Sequence, residues 1–184
     1  MGNDLHEQLL IRFLRENERL MNDLHAARRL DLPQCFVAAG RIRNYVWDRL
    51  HGYEDRGKHH DIDVVYYDPD DLSEERDVTL EYELIRETGN EAWSVKNQAR
   101  MHVRNGEAPY RSVADSLARW PETATAVGVM VDAGNAIAIC APHGLDDLFG
   151  MIVRQSPLFG DRTYVLERVR AKRWKEHWPL LTVL

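Results

Sequence analysis

Apolar side chains recur at helical spacing along the first part of the chain. The positions concerned are Leu10, Phe13, Leu14, Met21 and Leu24, with charged residues between them. Because this spacing puts the apolar side chains on one face, it predicts an amphipathic helix over residues 4–29. Leu32-Pro33 marks its end, since proline cannot continue a helix.

A short apolar run, a glycine and a second amphipathic segment follow this helix. Residues 35–39 predict a buried strand, and residues 42–50 predict a helix with its apolar side chains on one face. Gly40 stands between them and permits a sharp turn. Residues 62–67 are rich in β-branched and aromatic side chains, which predicts a further strand that ends at Pro69.

The rest of the chain alternates between helical and extended patterns. The predicted elements are a helix at 72–88 that ends at Gly89, a strand at 93–102, a turn at 104–107, a helix at 112–120, strands at 123–131 and 136–140, and helices at 145–154 and 164–178. Asp132-Ala133-Gly134-Asn135 joins the last two strands and predicts a β-hairpin. This order predicts an α/β (α+β) fold with a mixed sheet of about five strands and flanking helices.

Length and hydrophobic content favour one domain. The chain has 184 residues, of which 44% are hydrophobic, and this suffices for one sizeable core. We therefore expect a single domain over residues 1–184. Within it, the pattern predicts an N-terminal helix at 1–32, a core at 33–155 and a basic C-terminal helix at 156–184.

Charge and cysteine content indicate which partners and which cellular compartment to expect. The formal net charge of −6 gives no overall attraction to nucleic acid or to an anionic membrane. Cys35 and Cys140 lie in apolar runs, which favours buried thiols and a reducing compartment. No stretch approaches the roughly 20 apolar residues of a membrane span, and the N-terminus lacks the apolar core of a signal peptide. We expect a cytoplasmic protein without membrane contact.

Asp61-Ile62-Asp63 opens the clearest strand of the chain. Since successive strand side chains point to opposite faces, Asp61 and Asp63 share one face and Ile62 faces the core. Two carboxylates this close repel each other unless a cation lies between them. Mg²⁺, or Mn²⁺ in its place, is held by one or two carboxylates together with substrate phosphates and water. The motif therefore predicts a catalytic, metal-binding pair that orients the phosphates of an NTP.

The residues ahead of this motif predict a phosphate site. A strand that passes through Gly40 into a helix exposes backbone N–H groups at a helix N-terminus, where anions bind. Arg41 or Arg43 would add a contact to phosphate, and Asn44 would support the site. The segment Ala-Ala-Gly-Arg-Ile-Arg-Asn…Asp-Ile-Asp is similar to the Gly-Gly-x-x-Arg-Asp…Asp-x-Asp segment of bacterial poly(A) polymerases and tRNA CCA-adding enzymes. This resemblance implies a nucleotidyltransferase fold.

A closer resemblance is to a bacterial family that is described only as nucleotidyltransferase-like and of unknown function. The blocks that carry it lie at 39–48, 61–68, 93–102, 120–128 and 141–149. Together they extend over about residues 36 to 150. Their length makes the match specific. The resemblance implies the fold and says little about the substrate.

The chain departs from the pattern of active superfamily members in two places. Many members carry a third carboxylate on the next strand as general base, but neither face of the predicted strand 93–102 has an acid. Asn97 is expected at the third position, where an amide cannot accept a proton, and Lys96 or Arg100 would bind phosphate instead. Ala39 replaces one of the two superfamily glycines. The predicted nucleotide-binding residues are Gly40, Arg41, Arg43, Asn44, Lys96 and Asn97.

Other groups allow two interpretations each. Lys58-His59-His60 could hold a transition metal beside the aspartates or form a solvated loop. The basic tail consists of Arg168, Arg170, Lys172, Arg173 and Lys175, with Trp174 and Trp178 among them. It could contact phosphate or nucleic acid, or it could be a surface helix that its tryptophans anchor to the core. Asp68 is expected in a turn, and His143 with Asp146-Asp147 belongs either to a site or to a helix start.

Two hypotheses about function follow from these observations. The first is a Mg²⁺-dependent nucleotidyltransferase that transfers a nucleotidyl group from an NTP to an unknown acceptor, which could be a small molecule, a protein or RNA. The second is a catalytically inactive module with the same fold that binds a nucleotide, RNA or protein. The sequence leaves both open, because the acidic pair favours the first and the missing third acid favours the second.

Overall fold

The computed structural model describes residues 2–54, 56 and 61–184 of the chain. Its helices are α1 (Gly2–Arg15), α2 (Glu18–Arg29), α3 (Gly40–Leu50), α4 (Glu74–Thr88), α5 (Gln98–Asn105), α6 (Val113–Leu117), α7 (Asp146–Phe149), α8 (Arg162–Ala171) and α9 (Trp174–His177). Its strands are β1 (Phe36–Ala38), β2 (Ile62–Tyr66), β3 (Trp93–Asn97), β4 (Gly128–Val131), β5 (Ile137–Cys140), β6 (Ile152–Val153) and β7 (Thr182–Val183).

The main sheet has five strands in the order β3-β2-β1-β4-β5. β2 and β3 are parallel, because α4 carries the chain back across the sheet between them. The other neighbouring pairs are antiparallel. In the β4–β5 hairpin, Asp132 accepts hydrogen bonds from the N–H groups of Gly134 and Ala136. The predicted mixed sheet with flanking helices and the predicted hairpin are both confirmed.

The two faces of this sheet are covered differently. Ile62 and Val64 point into the larger core, to which α1, α2, α3 and α4 contribute. Val65 lies on the opposite face, in a smaller core that includes residues of α6. Asp61 and Asp63 share that face but lie where β2 begins, and Asp61 is exposed while Asp63 is partly exposed. The acidic pair is therefore at the open end of an otherwise covered face.

The predicted N-terminal helix is interrupted at Glu16 and Asn17. Asn17 begins α2 as its N-cap, and its side-chain oxygen accepts a hydrogen bond from the Leu20 N–H at 2.9 Å. Because α1 and α2 both bury apolar residues in the same core, the apolar spacing continues across the break. The prediction of one helix over 4–29 is therefore wrong: a side-chain cap competes locally with helix continuation.

The predicted strand at 93–102 is half as long as expected, because Asn97 ends it. The Asn97 side-chain oxygen accepts a hydrogen bond from the Ala99 N–H at 3.1 Å and thereby begins α5. The residues after Asn97 are therefore helical as far as Asn105, and Gly106 ends α5 with a φ of 67°. The turn predicted at 104–107 is wrong at Arg104 and Asn105, which are helical, and the chain turns at Gly106.

The C-terminal third of the chain also differs from the prediction. α7 ends at Phe149, and the next residues form β6, which pairs in parallel with β7 in a separate two-stranded sheet. The predicted helix at 145–154 is therefore wrong beyond its first turn. The predicted helix at 164–178 is broken at Arg173, whose φ of 51° is left-handed and separates α8 from α9. No helix in the described part of the chain is long and apolar enough to cross a membrane.

Candidate functional site

Asp61 and Asp63 lie side by side at the beginning of β2. The sheet register places Asp63 between Ala38 of β1 and Ser94 of β3. Among the described residues, no hydrogen bond or ion pair engages either carboxylate. Both groups are therefore available to a ligand, and the neighbour of Asp63 on β3 is a serine.

The electrostatic environment of Asp63 favours a bound cation. The pKa of Asp63 is raised to about 6, first by burial and second by the nearby charge of Asp61, and Arg43, Lys172 and Lys96 oppose this rise. The described residues contain no group of three or more His, Cys, Asp and Glu side chains that could hold a metal ion. Two carboxylates without a third protein ligand fit Mg²⁺, which takes its remaining oxygens from substrate phosphates and water.

The turn between β1 and α3 has its unusual backbone at Ala39. Its φ is 57° and its ψ is −130°, a region that glycine adopts more easily than alanine. The sharp turn that was predicted at Gly40 thus falls one residue earlier. α3 begins at Gly40, and no side chain among the described residues caps it. Its first N–H groups are therefore available to an anion.

Gly40 leaves space beside the functional groups of α3. A Cβ atom at this position would lie 3.6 Å from the Asn44 amide nitrogen and 3.9 Å from an Arg43 guanidinium nitrogen. These are ordinary contact distances, so an alanine would fit the protein itself. It would occupy space at the helix N-terminus that a phosphate would otherwise use.

Arg43 holds its guanidinium at the site although it is almost fully buried. Its Nη1 donates to the Thr125 hydroxyl at 2.8 Å, and its Nε and Nη2 donate to the Asn44 side-chain oxygen at 3.1 and 2.7 Å. The guanidinium also stacks on Trp174, 4.2 Å from the ring centre. Burial lowers the pKa of Arg43 to about 10, so it stays charged near neutral pH. It is a fixed cation beside Asp63.

Glu122 and Thr125 position this arginine, and neither is among the site residues that the sequence predicts. The Thr125 hydroxyl accepts from Arg43 and donates to the Glu122 carboxylate at 2.8 Å. Glu122 is completely buried, and its other oxygen accepts from Arg168 of α8 at 2.8 Å. The available signal was the block 120–128, which the family resemblance had marked without assigning a role.

These groups line a cleft of 330 Å³, called the first cleft from here on. Its lining includes Gly40, Arg43, Asn44, Asp61, Asp63 and Lys172. The structure thus brings together five of the predicted site residues and adds a lysine of the basic tail.

The tryptophans of the basic tail anchor it to the protein. Trp174 and Trp178 are both 2% exposed, and both pack edge-on against Trp47. The Trp178 indole donates to the Asp48 carboxylate at 2.7 Å. The tail therefore closes one side of the first cleft, and its rings are not exposed for stacking with bases.

Arg41 and Asn97 lie outside the first cleft. Arg41 forms an ion pair with Asp23 at 2.7 Å and lines a different cavity. Asn97 is fully buried, and its amide nitrogen donates to the backbone oxygens of Asp68 and Asp71. Its role in the structure is to cap α5 and hold the loop after β2. The position next to Asp63 that was expected for Asn97 belongs to Ser94.

Lys96 lies two residues beyond Ser94 on the same face of β3. Its Nζ is 3.6 Å from the Glu81 carboxylate, and the side chain is partly exposed in a second cavity that also includes Asp63. Arg100, by contrast, pairs with Asp77 and Glu74 on α4. It is therefore engaged in the structure.

The remaining candidates have structural partners or lie outside the described residues. His143 contacts the backbone oxygen of Ala118 at 2.9 Å. Asp147 pairs with Arg154 at 2.9 Å. Asp68 accepts from the Asp70 N–H in a turn, as expected. The interpretations of Lys58-His59-His60 concern residues outside the described part of the chain.

Comparisons with known proteins agree with this geometry. The model of a family described as Nucleotidyltransferase matches residues 25–183. A protein whose NMR structure reveals a CCA-adding enzyme head domain is 32% identical, with a TM-score of 0.83, over 96% of this chain and 95% of that one. No curated protein sequence matches the chain.

More distant structures share the fold. Two apo forms of a tRNA-processing enzyme are 17% and 18% identical to the chain, with TM-scores of 0.50 and 0.51. The matches cover 91% and 88% of this chain but only 44% of the enzyme in each form. The chain therefore spans less than half of that enzyme, and the likeness concerns the fold alone.

Proposed function

This chain belongs to the nucleotidyltransferase family, and we propose that it transfers a nucleotidyl group from an NTP to an acceptor with the help of Mg²⁺ or Mn²⁺. The observation that carries the proposal is the pair of unengaged carboxylates, Asp61 and Asp63, beside an uncapped helix N-terminus and the buried cation of Arg43. This combination suits a metal–triphosphate complex. The carboxylates would bind the positive metal ion, and the helix N-terminus and Arg43 would bind the negative phosphates.

Asp61 and Asp63 would hold the metal. A divalent cation between them would relieve the repulsion that raises the pKa of Asp63. Such an ion would supply charge that stabilises the leaving phosphate oxygens. The chain itself contributes the orientation of the two carboxylates, which the register of β2 against β1 and β3 fixes.

The triphosphate would bind at the N-terminus of α3. Within the described residues, three of the five N–H groups of Arg43 have acceptors, and two remain for phosphate oxygens. Lys172 adds a second cation to the lining of the first cleft. Thr125 and Glu122 keep the Arg43 guanidinium in place, so little orientation entropy is lost when a phosphate binds.

One observation favours the alternative of a nucleotide-binding module without catalysis. The residue next to Asp63 on β3 is Ser94, and a serine hydroxyl is a weak base compared with a carboxylate. A module of this kind would bind a metal–NTP complex and release no pyrophosphate. The two functions share the first cleft and differ only in turnover.

A transfer assay separates the two. The protein would be incubated with each α-³²P-labelled NTP, Mg²⁺ or Mn²⁺, and either the RNA or the small-molecule fraction of a bacterial extract. We expect label transfer and pyrophosphate release, and we expect both to disappear in the Asp61→Asn and Asp63→Asn variants. Asp70→Asn serves as control, because Asp70 is exposed and lines neither the first cleft nor the second cavity beside Lys96.

Two results would contradict the proposal. Pyrophosphate release that persists when Asp61→Asn and Asp63→Asn are combined would remove the acidic pair from the mechanism. NTP binding without release in any fraction would assign the chain to the binding module. Circular dichroism of each variant shows whether the fold is intact.

The proposal includes a cytoplasmic location and no membrane partner. Cys35 and Cys140 are unpaired thiols, which agrees with a reducing compartment. The cytoplasm also contains the NTPs that the proposed reaction requires.

A further inference from the structure

A second cleft begins where the first one ends. It has a volume of 780 Å³ and extends from Asp63 between α5 and the segment that leads into α8. Ala39, Asp63, Thr125 and Arg168 line both cavities. The two clefts therefore meet at Asp63, and one ligand in each would come together there.

Transfer of a nucleotidyl group needs such a two-sided site. The attacking oxygen and the leaving oxygen lie roughly in line on opposite sides of the phosphorus. If the proposed function holds, the triphosphate lies in the first cleft, near Gly40 and Arg43. The attacking hydroxyl must then approach from the other side of Asp63, which is the side of the second cleft.

The wall of the second cleft formed by α5 and its neighbours is cationic. Lys96, Arg104 and Arg119 line it. The Nε of Arg119 is buried and has no hydrogen-bond acceptor in the described part of the chain. The same guanidinium donates through its Nη2 to the Asp115 carboxylate at 3.4 Å, so Arg119 is already paired. Arg104 is exposed and has no ion pair among the described residues.

Three acidic residues line the same cleft: Asp63, where it meets the first cleft, and two that accept hydrogen bonds within the protein. Glu107 accepts a hydrogen bond from the Tyr110 hydroxyl. Asp161 caps α8 by accepting from the Tyr164 N–H at 3.0 Å. The lining of the second cleft has four cationic side chains, Lys96, Arg104, Arg119 and Arg168, against these three acidic ones, although the chain as a whole has a net charge of −6.

Another part of the lining is aromatic. The rings of Phe159 and Tyr164 lie 5.5 Å apart, and Trp120 also lines the cleft. Tyr164 is 43% exposed, so its ring can contact a ligand. A flat or apolar group would pack against these rings while an anionic group meets the cations.

We propose that the second cleft binds the acceptor, and that the acceptor is a small hydroxyl-bearing molecule with an anionic group and a flat portion. The proposal rests on the proposed function for the step itself and on the second cleft for the class of molecule. Its volume lies within the roughly 300–1,000 Å³ of small-molecule sites. The acceptor oxygen bonds to the α-phosphorus, the bond from that phosphorus to pyrophosphate breaks, and the hydroxyl proton passes to water.

Binding of defined probes tests this without turnover. The ¹⁵N-labelled protein would be titrated with pyridoxine 5′-phosphate, which has a ring, hydroxyl groups and a phosphate. Uncharged pyridoxine, gluconate and a single-stranded RNA hexamer would be titrated separately. We expect pyridoxine 5′-phosphate to shift the Trp120 indole signal and the amides of residues 159–164, and pyridoxine to bind at least tenfold more weakly. Gluconate shows whether a carboxylate can replace the phosphate.

Matched variants assign the binding to the second cleft. Arg104→Glu and Tyr164→Ala should each weaken pyridoxine 5′-phosphate at least tenfold and change the affinity for Mn²⁺–ATP less than twofold. Arg86→Glu is the control, since Arg86 is an exposed cation on α4 outside both clefts. This control should leave both affinities unchanged.

Three outcomes would overturn the proposal. The first is that the phosphate probe shifts only residues 40–44, which places it in the first cleft. The second is that neither anionic probe binds. The third is that the RNA hexamer alone occupies the second cleft. Failure of the proposed function looks different, because Mn²⁺–ATP then fails to bind or transfer survives without the acidic pair.

Discussion

Asp63 combines burial with a neighbouring charge of its own sign. Its pKa rises to about 6 through burial first and the Asp61 charge second, whereas an aspartate in an unfolded chain has a pKa near 3.9. The folded protein therefore holds the Asp63 proton more tightly than the unfolded chain does. As the pH rises from about 4 through 6, ionisation of this group lowers the free energy of unfolding of the metal-free protein.

Asp63→Asn should consequently stabilise the metal-free protein. We expect the free energy of unfolding to increase on the order of 2 kcal/mol at pH 8 and by less at pH 5, where the wild-type carboxyl is mostly protonated. Urea unfolding in EDTA at the two pH values measures this difference. Asp70→Asn should change it little, and a gain for Asp63→Asn that is equal at both pH values would contradict the role of its charge.

Ala39 shows what could and could not be predicted for single residues. The motif comparison identified it as a replacement for a glycine, and the structure gives it a φ of 57° and a ψ of −130°. The sequence does not indicate that the strained residue is Ala39, because the adjacent Gly40 adopts such a conformation more easily. Backbone conformation at a turn depends on where strand pairing ends, and the Ala39 N–H still bonds to the Val127 oxygen in the sheet.

At the scale of elements, apolar periodicity predicted the parts of the fold that are fixed by burial. β2, β5, α3 and α4 lie close to their expected positions, whereas β4 begins at Gly128 and not at residue 123 as predicted. Two of the errors occur where a polar side chain overrides the pattern. Asn17 and Asn97 each cap a helix, and each ends an element that the apolar spacing alone would extend.

The loop before β4 contacts α8, and this contact holds the Arg43 side chain of the site in place. Glu122 joins them through its ion pair with Arg168, and Thr125 joins the same carboxylate to Arg43 of α3. Glu122→Gln should lower the free energy of unfolding by about 2 kcal/mol, because it leaves a partly buried guanidinium without its counter-charge. Urea unfolding at pH 7 measures this loss.

Glu176→Gln provides the comparison within the same C-terminal segment. Its ion pair with Arg173 is exposed, and pairs of that kind contribute little to stability. We expect this variant to unfold like the wild type. If Glu122→Gln were equally neutral, Glu122 would have no part in holding Arg43 and Arg168 together.

At the scale of the whole molecule, the site joins residues that are far apart in the chain. Ala39, Asp63, Thr125 and Arg168 line both clefts, and they come from four separate segments. The sequence motif accounts for Ala39 and Asp63, because Ala39 directly follows β1 and Asp63 lies on the neighbouring strand β2. The other two could not be predicted, because their approach depends on how α8 and the loop before β4 pack against the sheet.

The distribution of charge over the molecule predicts how metal and nucleotide bind together. The net charge of −6 and the acidic pair oppose a free triphosphate, whereas a divalent cation at Asp61 and Asp63 would make the first cleft favourable for it. We therefore expect NTP alone to raise the melting temperature very little. At about 100 times the dissociation constant, Mn²⁺ and NTP together should add about 2.7 kcal/mol of stability, or about 5–10 °C.

A thermal-shift screen of the four NTPs, each with and without Mn²⁺ or Mg²⁺, measures this linkage and identifies the preferred base. Gly40→Ala should reduce the shift, because its methyl group occupies the phosphate position at the start of α3. Gly160→Ala is its matched control, since an added Cβ there meets no atom within 4 Å and lies in the second cleft. If NTP alone gave an equal shift, the triphosphate would bind away from the acidic pair. Near Asp61 and Asp63 its binding should require the metal, because the two carboxylates repel the triphosphate.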